Sequence, residues 1–271
     1  HALRFFKKDD IHSQTIKTLS KLGKVFNKLG NINLAKKYYL NSINLSKMHN
    51  ETFWLKWSYL EIAEIYQDQK EWENAESFFD QAFTVGLNTK DLYIQARAKG
   101  HLGDVYGSQT RWELAVQELI SAIRLWEQQS DYDMLRSEYL DLGNAYENFE
   151  KTDEAITAYQ QSLQICQENK DTQHQIWPLC RIGEVYIERK DYSAAIIFIE
   201  KAFHLAIEIK EADDISYTGG LLTMLFELIE NWDSCIFYSL KLLELPIEFF
   251  SSQDMLLIYI RLADSYAGKE E

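Results

Sequence analysis

Gly100-His101-Leu102-Gly103-Asp104-Val105-Tyr106, then Trp112-Glu113-Leu114-Ala115 and Ala122, decides the fold. The same pattern returns every 40 residues in both directions. The small residue at Gly103 recurs as Gly23, Ala63, Gly143, Gly183, Thr223 and Ala263. The aromatic three places on recurs as Phe26, Tyr66, Tyr106, Tyr146, Tyr186, Phe226 and Tyr266. Ala115 recurs as Ala35, Ala75, Ala155, Ala195 and Cys235, and no gap is needed anywhere. A fixed period of this length marks a solenoid, in which one supersecondary unit stacks on its neighbours.

Within the unit the apolar residues follow helical spacing. Leu92, Ala96, Leu102, Val105 and Tyr106 share one face of a first helix, helix A. Trp112, Ala115, Val116, Leu119, Ala122, Ile123 and Trp126 share one face of a second, helix B. The pattern predicts helices over 11–29, 33–49, 52–69, 72–86, 91–109, 112–128, 132–149, 152–169, 175–189, 192–209, 212–229, 232–244 and 252–268. Short polar turns join A to B, and longer polar joints are expected between units, as at 168–172. The repeated small residues belong where helices cross closely. Gly103 meets Ala115, and Ala122 with its equivalents Ser42, Ala82, Ser162 and Ala202 admits the next helix A. Leu242, Thr223 and Cys235 break this pattern, so the sixth unit should pack differently. Pro178 lies in a first helical turn, where its missing N–H is harmless. Pro246 helps stop the helix before it, and Ser251 to Asp254 reads as an N-cap run.

Composition narrows the class. The 271 residues are 46% hydrophobic with only 2 prolines and 11 glycines, too few turn formers for an all-β fold. No apolar run approaches the ~20 residues of a membrane span. Three unpaired cysteines, Cys166, Cys180 and Cys235, point to a reducing, cytoplasmic setting and lack metal spacing. His1 in place of Met, and an end inside a seventh unit, read as a piece of a longer protein. Residues 1–50 hold ten Lys/Arg, Arg4 and Lys7 among them, against two acids. That is +8, and the other 221 residues, with 18 bases and 40 acids, carry −22. The asymmetry suits either head-to-tail self-association through basic N-terminal and acidic C-terminal repeats or an ordinary solvated first helix pair.

The residues resemble the tetratricopeptide repeat family. Tyr139, Leu142, Gly143, Tyr146, Ala155, Tyr159 and Ser162 carry the family pattern in the fourth unit, and Trp72, Ala75, Phe79 and Ala82 carry its second half in the second. The resemblance covers about 16–268. The unit exceeds the family's ~34 residues and lacks its terminal Pro. Both departures are similar to the long-repeat branch of kinesin light chain, spindle-orientation adaptors and bacterial peptide-sensing regulators. The resemblance implies an all-α fold: a right-handed α-solenoid superhelix over 1–271. It has six full repeats, about 11–50, 51–90, 91–130, 131–170, 171–210 and 211–250, and a partial one over 251–271.

It further implies a concave groove lined by helices A, with the second, fifth, sixth, ninth, twelfth and thirteenth positions of each unit facing it. Unit one offers the lysine stripe Lys17, Lys21, Lys24 and Lys28. Unit two offers Trp57, Glu61, Glu64 and Asp68; unit three Arg97, His101 and Asp104; unit four Asp141, Asn144 and Glu147. Unit five offers Trp177, Arg181, Glu184 and Glu188, and unit six Met224 beside Leu221 and Leu228. The fifth positions are Ser20, Leu60, Gly100, Leu140, Cys180 and Gly220. Such a groove starts basic, turns acidic and ends apolar, which would suit a protein or peptide ligand with a basic central segment. Equally, acidic helix faces can serve solubility alone. Trp57 and Trp177 are the aromatic anchors, because Trp is over-represented at hot spots. Trp72, Trp112 and Trp232 read as packing residues.

No catalytic constellation, metal spacing or phosphate loop is present, so no enzyme activity, metal or cofactor is expected. Cys180 beside Arg181 could have a lowered pKa, and His101 with Asp104 reads as a solvated i, i+3 pair. Nucleic acid would need a broad basic surface, which only the first unit offers. The expected function is a protein-interaction scaffold that holds a peptide segment or partner helix. The alternative is a ligand-sensing, regulatory module of a larger signalling protein.

Overall fold

The computed structural model describes residues 8–270, with thirteen α-helices and no strand among them. His1, Arg4, Lys7 and Glu271 lie outside the described residues. The chain divides into two compact units between Phe149 and Glu150. The first holds α1 (Lys8–Lys28), α2 (Ile32–His49), α3 (Thr52–Asp68), α4 (Trp72–Asn88), α5 (Leu92–Ser108), α6 (Trp112–Gln129) and α7 (Tyr132–Asn148). The second holds α8 (Thr152–Glu168), α9 (Ile176–Glu188), α10 (Tyr192–Ile209), α11 (Ala212–Leu228), α12 (Trp232–Leu243) and α13 (Ser252–Glu270). A single 3-10 turn, Gln173–Gln175, precedes α9, and Pro178 sits in the first turn of that helix.

Odd-numbered helices are the A helices and even-numbered ones the B helices. Their crossings depend on the small residues. A Cβ on Gly103 would stand 2.6 Å from Leu119 Cγ and 3.4 Å from the Ala115 carbonyl oxygen, and Leu119 is itself buried. Gly23 lies likewise under the Tyr39 ring and Gly183 under Ile199. Ser42 shows how helix B meets the next helix A, because Ser58 Oγ donates to Ser42 Oγ at 2.9 Å. The sixth unit does pack differently. Leu242 takes the place of the small residue, and Gly219 opposite gives the room, with a Cβ there falling 2.6 Å from Leu242 Cδ2. Large and small have changed sides.

The joint after α8, residues 169–175, is longer than the turns inside units, as expected, and so is the joint before α13, but the other joints are not. Asn50-Glu51, Ser130-Asp131 and Lys210-Glu211 are the whole of three of them. The extra length of the unit therefore lies in its helices, most of which run 17 or 18 residues. Each turn is made by a left-handed residue that recurs every 20 positions, from Gly30 through Asn50, Lys70 and Lys90 to Glu230. The amide after it bonds back into the helix; Arg111 N donates to the Tyr106 carbonyl at 2.9 Å and Thr110 N to Gly107 at 2.8 Å. These are the two bonds of a Schellman cap. The next helix then starts on an Asx cap: Asp91 Oδ1 accepts from Ile94 N, and Asp131 and Asp191 do the same for their helices. Ser251 and Asp254 close a reciprocal pair, Oγ accepting from Asp254 N and Oδ2 from Ser251 N, in keeping with an N-cap at this point.

Only one of these left-handed positions is Gly. The conformation costs ~1–2 kcal/mol for other residues, and a β-branched side chain suits it least. Thr110, with φ 59° and an exposed side chain, is the clearest case. Thr110→Gly should raise stability in urea unfolding by about 0.5–1.5 kcal/mol. An unchanged or lowered midpoint would show that Thr110 is not strained.

Candidate partner-binding face

In the first unit the A helices present their charged rows beside one another. Lys17 is half-buried and Lys21, Lys24 and Lys28 are exposed. Lys24 Nζ lies 3.4 Å from Glu61 Oε1 on α3. The other oxygen of Glu61 accepts from the Tyr39 hydroxyl at 2.9 Å, and burial followed by the Glu61 charge pushes the Tyr39 phenol up. A pocket of about 330 Å³ opens here, floored by Tyr39, Phe53, Trp54 and Trp57 and rimmed by Ser20, Lys21, Lys24 and Glu61. The Trp57 ring is braced against Tyr93 at 5.8 Å.

Further along, Glu64 is not a bare acid. It takes the Arg97 guanidinium and stands 3.4 Å from His101 Nε2. Burial alone would raise its carboxyl, but the His101 hydrogen bond and the Arg97 charge together hold it below the usual value. His101 is more than a solvated helix partner of Asp104. Its ring lies parallel on Phe79 at 5.0 Å, with Glu64 at one nitrogen and Asp104 Oδ2 3.7 Å from the other.

Beyond it three carboxyl groups crowd together: Asp104, Glu138 and Asp141. Burial, reinforced by Asp104, raises Asp141 to about 7. Burial raises Glu138 to about 8, with Asp141 and Asp104 adding to the shift and the Trp126 indole N–H, 3.2 Å from Oε1, opposing it. Loss of hydration raises Asp104 too, against the pull of His101 and Gln67. Gly100 makes the space, because a Cβ there would run into the Glu138 carboxylate. Asn144 and Glu147 are half-buried on the same helix as Asp141, and Asp68 is exposed at the end of α3.

In the second unit Trp177 is exposed, with its ring 5.2 Å from that of Tyr217. Arg181 pairs with Glu184 at 2.8 Å, and its Nε donates to the Tyr159 hydroxyl at 3.4 Å. Tyr217 Oη donates to Glu184 Oε1 at 2.5 Å. Glu188 is exposed, and Met224 lines a pocket of about 420 Å³ with Leu221, Tyr217, Leu257 and Arg261. Thus Glu184, like Glu64, is held by groups of its own chain, and the expected acidic row is partly neutralised.

Two expectations are corrected. The fifth helix-A position does not face a groove: Ser20, Leu60, Gly100 and Cys180 are buried, and Leu140 and Gly220 half-buried. That position turns toward the neighbouring helices, as Gly100 does toward Glu138. Cys180 is consequently no activated thiol, because burial, then Glu184, pushes it well up and Arg181 does not compensate. The other two cysteines are also buried and unbridged, and among the described residues no three His, Cys, Asp or Glu converge to hold a metal ion. Trp112 and Trp232 do pack, against Gly107 and Gly268.

Reading the helix-A row alone missed Tyr39, Trp54 and Glu138, and it gave Tyr217 a groove position without its bond to Glu184. The periodicity contained a signal for some of them. Tyr39 to Glu61, Phe79 to His101 and Tyr159 to Arg181 are all contacts 22 residues apart. Glu64 to Arg97 and Glu184 to Tyr217 are both 33 apart. The same pairs of repeat positions meet in more than one unit.

Sequence models of the tetratricopeptide repeat match residues 54–128 and 133–208, and another matches 16–47. Comparison with curated proteins finds no matching sequence. Solved structures share the fold. A signal transduction ATPase with a tetratricopeptide repeat sensor from Pyrococcus horikoshii is 15% identical with a TM-score of 0.77, over 93% of this chain and 39% of its own. RapI in its apo form is 11% identical with a TM-score of 0.68, over 94% of this chain and 97% of its own. BtubC from P. vanneervenii is 16% identical with a TM-score of 0.64, over 75% of this chain and 91% of its own. No described helix is long and apolar enough to cross a membrane. With repeat matches over more than half its length and an all-α repeat fold, the chain belongs to the tetratricopeptide repeat family.

Proposed function

We propose that this chain is a non-enzymatic protein-interaction scaffold, and that the helix-A row of its first unit holds an extended peptide segment. One observation carries the reading. A lysine-rimmed aromatic pocket and the crowded acids Asp104, Glu138 and Asp141 lie on the same row of helices, α1, α3, α5 and α7. Carboxyl groups with raised pKa values gain from an incoming cation. A peptide with an acidic and apolar end at Lys21, Lys24 and Trp57, and a basic centre at the acids, is complementary to both. Glu61, Glu64, Arg97 and His101 position the walls between them. The row in the second unit, Trp177, Arg181, Glu184, Glu188 and Met224, carries aromatic and apolar groups of its own.

A labelled twelve-residue peptide with two Glu beside a Leu at one end and two Arg at its centre tests this by fluorescence anisotropy. Lys21→Glu with Lys24→Glu should weaken its binding about ten-fold and reduce the salt dependence. Both lysines project from the surface, so the fold should be unaffected. Equal binding by the double variant would remove the reading. A second reading, a sensor module inside a larger signalling protein, is favoured by the fold shared with the repeat sensor of the signal transduction ATPase. In that case the peptide would be the signal.

A further inference from the structure

Phe53, Trp54 and Trp57 of α3 line the pocket between α1 and α3, beside one carboxylate, Glu61, and two ammonium groups, Lys21 and Lys24. The Phe53 and Trp54 rings meet at 81° with centroids 5.0 Å apart, so they form a corner rather than a stack. Trp57 is braced by Tyr93. An acid and a Leu from a peptide would leave Glu61 and this corner unused. Aromatic faces beside a carboxylate recognise a quaternary ammonium group. One repeat on, the chain puts an organic cation of its own in the equivalent place. Lys24, Trp57 and Glu61 become Glu64, Arg97 and His101. Arg97 takes Glu64 as its partner, and its Nη2 lies 3.5 Å from His101 Nε2. Guanidinium, carboxylate and ring thus meet between α3 and α5. Between α1 and α3, Trp57 brings no charge, and a cavity of about 330 Å³ remains.

We infer that this pocket binds a small zwitterion, a quaternary ammonium joined by a short chain to a phosphomonoester, as in phosphocholine. Its ammonium lies against the Trp54 and Trp57 rings and Glu61, and its phosphate takes Lys21 and Lys24. The charges balance. A phosphomonoester carries about −1.5 to −2 at pH 7 and meets two lysines, while one ammonium meets one carboxylate. Without a ligand Lys24 and Glu61 approach no closer than 3.4 Å, beyond the ~2.7–2.9 Å of a charge-assisted hydrogen bond. Binding exchanges that long contact for an ion pair at each end of the ligand. Phosphocholine would occupy the pocket whether or not a peptide also docks on the helix-A row.

Isothermal titration of the whole chain with phosphocholine tests this. Saturable binding with a Kd on the order of 0.1–1 mM is expected. Phosphoethanolamine has the same charges but a primary ammonium, and should bind at least about ten-fold more weakly because the rings favour the methylated cation. Equal binding of the two, or no saturable binding of phosphocholine, would overturn the inference. Trp54→Leu should weaken phosphocholine about ten-fold. Trp54 is half-buried, so circular dichroism and melting are compared alongside. Lys21→Gln with Lys24→Gln should weaken it at least as much, and both side chains are exposed, so this variant keeps the fold. Unchanged binding by the double variant would place the phosphate elsewhere and overturn the inference. Phosphatidylcholine vesicles supply the same headgroup from a lipid. Flotation of the chain with them, without heat from free phosphocholine, would assign the pocket to a membrane surface and overturn the small ligand. The charged peptide is followed by its own anisotropy, so either reading can fail alone.

Discussion

Gly103→Leu should cost at least about 3 kcal/mol in urea unfolding, the upper end of what overpacking costs. No room exists for the side chain, because even a Cβ would stand 2.6 Å from Leu119 Cγ. Leu119 is 2% exposed and has no free direction in which to turn. The helices would have to separate, and both neighbouring contacts would loosen. Gly220→Ala supplies the opposite case. The nearest atom to a Cβ there is Arg261 Nη1 at 4.0 Å, so the better helix propensity of Ala should raise stability by up to ~1 kcal/mol. If both substitutions behaved alike, the small residues would not be set by helix crossings.

Glu138→Gln should stabilise the protein at pH 8 by ~1–3 kcal/mol and leave it unchanged near pH 4–5. The sign comes from proton counts. The carboxyl titrates at about 8 in the fold and near 4.5 as a free side chain. Between those values the folded chain holds a proton that the unfolded chain has released, so stability falls as pH rises through that window. Gln keeps the acceptor for the Trp126 indole N–H and never carries charge. Asp141, raised to about 7, should leave part of the slope in the variant. Unfolding curves of the two proteins measured at pH 5 and pH 8 decide the matter. A constant difference between them would show that Glu138 is ionised throughout.

The fold was legible because its determinants repeat. Gly23, Gly103 and Gly183 could be matched in sequence before any contact was known, and each lies under a large helix-B residue. What the repeat does not display is what differs between units. The swap of Gly219 with Leu242 showed in the sequence as an irregularity at Leu242, without its partner. The longer joint was legible at 168–172 but was wrongly extended to most of the others, because polar residues at helix ends look the same whether they are coiled or looped. The candidate face was legible as a row but not as a network. Glu64 and Glu184 read as free acids because Arg97, His101, Arg181 and Tyr217 reach them from helix positions that carry other residues in other units. The raised carboxyls were beyond sequence reading altogether. Glu138 lies outside the groove positions, and its burial depends on the vacancy at Gly100 and on Trp126.

The left-handed residue every 20 positions has a genetic meaning. Cutting the chain after two such residues 40 apart that follow helices B, for example after Lys90 and after Ser130, and rejoining it would bring a helix-B end to a helix-A start with the reversal intact. A gene built this way can lose or gain whole units by recombination without disturbing the phase of the later units. The exception is the sixth unit. Leu242 tolerates only a partner like Gly219, so α11 and α12 must be inherited together, and a crossover between them would leave a clash or a hole.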